Sequence, residues 1–242
     1  MTLTRKILII FTTLITLTVS TLNPSTKANS TPTTPISEQS LYRFMPYDVV
    51  IDIGHGGIDG GTFHKTILEK DINLTIGLEL YKELKKKHYL VGITRTHDYA
   101  LSDDYHFSAI RSRHQRDLTQ RKLIAEGLNP KLLISIHVNY SSSKKARGPM
   151  VIYQRRGNSY LIAALLQDNL NKLAQTKHSI VPSSTFFLLQ SVDSPALIAE
   201  VGYISHPQER ALLQQPAYQQ QIAQAISNTI DQYFTLYPSI AN

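Results

Sequence analysis

Short apolar runs recur along the chain, separated by longer stretches of mixed polarity. Several of the runs are apolar at nearly every position, which is typical of strands covered on both faces of a sheet. Six such runs predict strands, at residues 48–53, 89–95, 132–138, 149–154, 185–190 and 196–201.

The stretches between these runs carry apolar residues at helical spacing. In the first stretch Ile72, Ile76, Leu80 and Leu84 lie four positions apart and form one stripe. Helices are predicted at residues 69–87, 117–130, 159–175 and 216–237, with a short one near 207–209. Strands that alternate with helices predict an α/β fold with three layers, in which helices flank both faces of a central, six-stranded, mostly parallel sheet.

The start of the chain has a different pattern from the rest. Residues 1–28 carry the adjacent basic residues Arg5 and Lys6, then an apolar or threonine-bearing run at 7–19 and then small polar residues, the order of a signal peptide. The run is short for a membrane span, which needs ~20 residues, but an uncleaved anchor that attaches the protein to the membrane through 7–19 is the alternative. Residues 29–46, rich in Ser, Thr and Pro, predict a flexible spacer, and residues 47–237 predict one folded domain.

Composition narrows the chemistry. The chain has no cysteine, which excludes disulfides and thiolate ligands, so any metal must be held by nitrogen and oxygen atoms. The net charge of +7 favours anionic partners such as nucleic acid, phospholipid headgroups or wall polymers. Since no helix-turn-helix, RNA-binding signature or zinc-finger spacing is visible, we expect no nucleic-acid partner.

Four chemically capable residues stand at or near the ends of predicted strands. His55 follows the first strand in "VVIDIGHGGIDGGT", and Glu69 opens the first helix; His137 and Glu200 end later strands. Ligands of open α/β sheets gather outside the carboxyl ends of strands. Two imidazoles and one carboxylate are a common catalytic zinc set, and a second carboxylate can move protons. His64 is a reserve ligand.

Each residue also has a simpler interpretation. His55 can belong to an ordinary tight turn, His137 can be a hydrogen-bonded strand histidine, and Glu69 can be a first-turn carboxylate placed by the helix dipole. Glu200 is harder to explain in this way, because "ALIAEVGYI" puts its charge among apolar residues at a cost that a partner must offset.

Four motifs follow one another along the chain: "VVIDIGHGGIDGGT", "LEKDINL", "ISIHVN" and "PALIAEVGYISHPQE". They resemble the motifs of the zinc-dependent N-acetylmuramoyl-L-alanine amidases. Their order and the 14-residue step from His55 to Glu69 agree with the family, and the resemblance covers residues 47 to about 235. The single-domain layout, the N-terminal apolar segment and the lack of wall-binding repeats look most like the germination-specific branch of spore-formers.

The resemblance implies a role for each motif residue. It implies that His55, Glu69 and His137 bind Zn²⁺ and that Glu200 is the catalytic carboxylate, acting as general base and acid.

It implies three further roles around this centre. Asn139 is similar to a residue that lies near bound peptide, and Arg121 looks like a structural helix arginine of the family. Asp52 is expected to orient the glycine loop or His55. The longer segment 97–117 either lines the substrate groove or forms a solvated loop.

The implied activity is hydrolysis of the amide between N-acetylmuramic acid and L-alanine of the stem peptide, with peptidoglycan as the substrate. A regulatory protein partner is a further expectation. The protein is expected to act outside the cytoplasmic membrane, secreted or tethered to its outer face, in the cell wall or spore cortex. The alternatives are another zinc hydrolase on wall material, such as a peptidase or sugar deacetylase, or a noncatalytic wall-binding or activator protein.

Overall fold

The computed structural model describes residues 45–104, 109–183 and 185–238. The N-terminal segments predicted as signal or anchor and as spacer lie almost wholly outside these residues, and the domain bounds of 47–237 stay a prediction. None of the helices in the described ranges combines the length and the apolar character that a membrane crossing requires.

Eight strands are present in the described part of the chain. They are β1 (Val49–Ile53), β2 (Phe63–His64), β3 (Ile67–Leu68), β4 (Val91–Ile93), β5 (Leu132–Asn139), β6 (Met150–Tyr153), β7 (Val181–Pro182) and β8 (Ala196–Tyr203). The helices are α1 (Glu69–Lys86), α2 (Arg113–Leu128), α3 (Ser159–Ala174), α4 (Phe187–Ser191), α5 (Pro207–Leu213) and α6 (Pro216–Leu236), with one 3-10 turn at Leu101–Asp103.

Six of these strands form the central sheet, in the order β4-β1-β5-β8-β6-β7. The first four run parallel to one another, whereas β6 runs antiparallel to β8 and β7 runs parallel to β6. β2 and β3 make a separate antiparallel hairpin. The predicted α/β fold with a six-stranded, mostly parallel sheet is thereby confirmed.

One predicted strand is wrong. Residues 185–190 do not join the sheet; most of them form helix α4, and the sixth strand is the two-residue β7. A strand would send Leu188 and Leu189 to opposite faces, but both side chains are buried in the same core cluster. A short apolar run does not distinguish a buried strand from a buried helical turn, and β7 is too short to leave a pattern.

The sheet separates two apolar cores. Val49, Ile51 and Ile53 of β1 face the larger core, to which α1, α3 and α6 contribute. Val50 faces the smaller core, formed with α2 and α4. Both faces of β1 are therefore dry, which is why its sequence is continuously apolar rather than alternating.

Close helix–sheet contact places the start of α1 at the edge of the sheet. A Cβ at Gly77 would lie 2.5 Å from the Ile53 side chain, so only glycine lets α1 approach β1 this closely. The first residue of α1, Glu69, is then held beside the carboxyl ends of β1 and β5.

Candidate metal centre and active site

The glycine loop after β1 turns His55 toward the sheet edge. His55 has φ of 61°, a left-handed conformation that is uncommon outside glycine, and Gly57, two residues later, has φ of 57°. Reciprocal backbone hydrogen bonds between Gly56 and Asp59, of 2.9 and 3.0 Å, close the turn. The Asp59 carboxylate lies 2.9 Å from His55 Nδ1, so the other ring nitrogen, Nε2, faces Glu69 at the centre of the site.

Glu69 joins the two histidines. Its Oε1 lies 3.0 Å from His137 Nδ1, and its Oε2 lies 3.3 Å from His55 Nε2. The carboxylate also accepts the backbone N–H of Val138 at 2.9 Å and of Thr62 at 2.8 Å. Because the Glu69 side chain is only 1 % exposed and both of its oxygens are contacted, the carboxylate is held in one position.

These three residues form a donor set that suits a metal ion. One ligand atom from each of His55, Glu69 and His137 lies within 4.8 Å of the others. Two imidazoles and a carboxylate match a catalytic zinc site that leaves a position open for water. The contact between Asp59 and the far nitrogen of His55 is the carboxylate–histidine arrangement that orients metal ligands.

Two glycines make room for this set. A Cβ at Gly54 would lie 2.4 Å from the His137 ring, and a Cβ at Gly61 would lie 2.5 Å from Glu69 Oε2. The loop backbone therefore packs directly against the side chains of Glu69 and His137, so these glycines are required by the site as well as by the turn.

The electrostatics of the protein alone already concentrate opposite charges here. Burial lowers the pKa of His55, but hydrogen bonds and charge from Asp59 and Glu69 outweigh burial and raise that pKa to about 10. Burial raises the pKa of Glu69, yet the two histidines hold it well below its usual range. The cluster thus stabilises a cation beside the Glu69 carboxylate, and a metal ion would compete with protons for the same nitrogens.

Glu200 lies on β8, directly across the sheet register from His137 on β5. Burial and the nearby Glu69 carboxylate raise the pKa of Glu200 while the two histidines oppose this, and the net result is a pKa of about 7. Its Oε2 is shielded from solvent and has no hydrogen-bond partner among the described residues. A carboxyl group that titrates near neutral pH is suited to accept and return a proton.

Arg121 and Asp52 are buried residues that support the glycine loop. Arg121, 3 % exposed, donates to Asp52 at 2.6 Å and to Asp117 at 2.7 Å. It also donates to the backbone carbonyls of Ile53 and His55 at 2.7 and 3.0 Å. Asp52 therefore contacts the loop through Arg121, while the ring of His55 is held by Asp59 instead.

Two residues that support the glycine loop were not predicted from the sequence. Asp59 stood inside the quoted glycine motif, but no spacing rule links it to His55 Nδ1. Arg95, 2 % exposed, donates to the carbonyls of Gly54 at 3.1 Å and Lys70 at 2.8 Å and so ties the loop to α1. It ends a predicted strand, where nothing in the local pattern signals this role. The reserve ligand His64 lies in β2 and is not part of the group formed by His55, Glu69 and His137.

A cleft of about 490 Å³ opens above this centre, within the range of ligand-binding pockets. Asn139 lines it at the end of β5, with Oδ1 accepting the N–H of Tyr140 at 2.8 Å. From the segment 97–117, His114 and Asp117 reach the cleft, while residues 105–108 lie outside the described part. The aromatic residues Phe186 and Phe187 border it on another side.

The fold and the donor set define the class: an α/β protein with a two-histidine, one-carboxylate centre at the carboxyl edge of its sheet. Comparison with known proteins then identifies the family, because the N-acetylmuramoyl-L-alanine amidase family matches residues 49–232. The chain belongs to this family. The predicted enzyme class is confirmed by this match.

Individual relatives support the same family assignment. The germination-specific N-acetylmuramoyl-L-alanine amidase of Bacillus subtilis (strain 168) is 33 % identical over 189 residues, covering 77 % of this chain and 79 % of that protein. Among solved structures, the CwlD amidase of Clostridioides difficile in complex with the GerS lipoprotein is 30 % identical, with a TM-score of 0.74 over 78 % of this chain and 99 % of that one. The catalytic domain of CwlV from Bacillus (Paenibacillus) polymyxa is 29 % identical, with a TM-score of 0.66, over 78 % of this chain and 98 % of that chain.

Proposed function

We propose that this protein hydrolyses the amide bond between the lactyl carbonyl of N-acetylmuramic acid and L-alanine of the stem peptide in peptidoglycan, with Zn²⁺ held by His55, Glu69 and His137. The observation that carries the proposal is the convergence of these three donors beside Glu200, a carboxyl group whose Oε2 has no partner among the described residues. The family match supports the substrate class.

Side chains of this protein carry out most steps of the proposed hydrolysis. Zinc, when bound, polarises a carbonyl oxygen and lowers the pKa of a bound water. Asp59 holds the ring of His55 in the orientation that presents Nε2 to the centre. Glu200 accepts a proton from the attacking water, whose oxygen adds to the lactyl carbonyl carbon. The same carboxyl then gives that proton to the alanine nitrogen as the C–N bond breaks.

The setting of the reaction follows from the substrate. Peptidoglycan lies outside the cytoplasmic membrane, so we infer extracytoplasmic action, with residues 1–28 as the signal or anchor. The likeness to a relative named as germination-specific supports a role on spore peptidoglycan. Because the similar C. difficile amidase was solved with a lipoprotein, we also infer a regulatory protein partner for this chain.

Product analysis on purified peptidoglycan tests the proposal, with zinc content measured on the same sample. We expect one zinc per chain and release of intact stem peptides that carry a free L-alanine amino group. Glu200→Gln is expected to retain zinc and lose turnover, since the amide cannot accept the proton. Release of acetate would indicate a sugar deacetylase, cleavage within the stem peptide a peptidase, and undiminished turnover in Glu200→Gln would remove this residue from the reaction.

A further inference from the structure

Two neighbouring phenylalanines are exposed inside the cleft. Phe186 and Phe187 are each 42 % exposed, and both border the space that holds the three donor residues. Apolar side chains that stay exposed in a concave site are typical of surfaces that a ligand covers. The reaction steps derived above leave these two rings without a role.

The rings stand on a rigid base. Leu188 and Leu189, the next two residues, are 5 % and 0 % exposed and anchor α4 in the smaller core. At the far end of α4, Arg156 donates to the Val192 carbonyl at 2.7 Å, which holds the chain as it leaves the helix. A surface fixed in this way loses little conformational freedom when a ligand binds.

The side chain of Phe186 does not stabilise the helix at whose start it lies. It occupies the N-cap of α4, a position where Ser, Thr, Asp or Asn would accept a hydrogen bond from the helix and stabilise it. The helix has no side-chain cap. The ring at this position therefore contributes to the cleft rather than to the end of the helix.

The two ends of the cleft differ in chemistry. Helix α4 packs on β8, the strand of Glu200, and α2 packs on β1, the strand that leads to His55, while the two helices also contact each other. The cleft thus runs across the carboxyl ends of the strands. Its α4 end carries the two phenyl rings. The recess at the α2 end is bordered by Arg113 and His114 and by two carboxylates, Asp59 and Asp117, which pair with His55 and Arg121.

We propose that Phe186 and Phe187 form a platform on which the pyranose ring of the muramyl residue stacks, so that the stem peptide leaves toward the α2 end. This inference rests on the proposed function. A muramyl amide carries a sugar on one side of the scissile bond and a peptide with carboxylates on the other. The C–H groups of a pyranose face pack on the electron-rich face of an aromatic ring. At the other end the guanidinium of Arg113 can pair with a carboxylate of the peptide, because Asp59 and Asp117 already have partners.

A binding comparison isolates the sugar from the peptide. The full-length Glu200→Gln protein is titrated by calorimetry with two ligands that share the same amide: a GlcNAc–MurNAc-tripeptide and an N-lactoyl-tripeptide that has no sugar. In the double variant Phe186→Ala/Phe187→Ala we expect the first ligand to bind about tenfold or more weakly and the second to bind as before.

Two further variants separate stacking from folding and from general apolar contact. Phe186→Leu/Phe187→Leu keeps apolar bulk on α4 without the rings and is expected to lose the same preference for the sugar. Tyr160→Ala removes a comparably exposed aromatic, 55 % exposed on α3 and outside the residues that line the cleft, and is expected to change neither affinity. Thermal unfolding of each variant checks that it is folded.

The outcomes separate this inference from the proposed function. Equal losses for both ligands, or no loss for either, would overturn the platform even if the wild-type enzyme releases stem peptides. A selective loss of sugar binding in a protein whose wild type leaves the muramyl amide intact would sustain the platform and reject the reaction.

Discussion

Asp59 offers the most direct test of the metal centre. Its Oδ2 lies 2.9 Å from His55 Nδ1, and its Oδ1 accepts the N–H of Gly61 at 3.1 Å. Asp59→Asn keeps the size of the side chain but removes the charge that orients the imidazole. Carboxylate partners of ligating histidines typically account for about 10–100-fold in metal affinity. Since the Asp59 side chain is 35 % exposed and solvent screens it, we expect the low end, about tenfold or ~1.4 kcal/mol.

The assay is zinc affinity of the full-length protein, measured by competition with a chromophoric chelator at neutral pH. Asp98→Asn is the matched control, because Asp98 also supports the glycine loop, accepting the N–H of Gly57 at 2.7 Å and pairing with Lys70 at 2.7 Å. It is expected to leave zinc affinity nearly unchanged. Wild-type affinity in Asp59→Asn, or an equal loss in both variants, would refute the orienting role of Asp59.

Three other perturbations follow from the same geometry. Gly54→Ala places a Cβ 2.4 Å from the ring of the second histidine, so we expect lost zinc stoichiometry, whereas Gly127→Ala, with nothing within 4 Å of its Cβ, should keep its zinc. Arg121→Met leaves two buried carboxylates unpaired and is expected to cost about 3–5 kcal/mol in urea unfolding; a loss below about 1 kcal/mol would contradict the pairing. Burial raises the pKa of Glu200 in the folded, metal-free protein to about 7, above the value in the unfolded chain. The folded protein therefore loses stability as pH rises through that value, because the buried carboxyl group must ionise. Glu200→Gln should therefore be the more stable protein at pH above 7, by on the order of 3 kcal/mol, and not at pH below 4, and a difference that is independent of pH would reject this.

Local patterns were sufficient for most of the fold. The apolar run of β1 and the stripe of α1 each reflect burial that the periodicity records directly, and strand–helix alternation implied a parallel sheet. The run at 185–190 misled because a short, wholly apolar segment is compatible with either a strand or a helical turn. In the structure the consecutive burial of Leu188 and Leu189 against one core made it a helix.

The candidate site was partly visible for a related reason. His55, His137 and Glu200 lie at or near the ends of adjacent parallel strands, so the topology alone brings them to one edge. Their roles in binding and catalysis stay predictions. The partner of His55 was not visible, since Asp52 and Asp59 are both near it in sequence and only the turn geometry selects Asp59.

The sequence by itself determined most of the order of elements, the chemical types at the strand ends and the membership in an amidase family. Tertiary structure alone decided which side chains meet, because those contacts join residues far apart in the chain. Asp52 and Arg121 are 69 positions apart, and Glu69 and His137 are 68 apart. Periodicity reports which face of an element is buried. Hydrogen-bond partners depend instead on differences in distance of a few tenths of an ångström, which are set only when the packed elements hold the backbone in place.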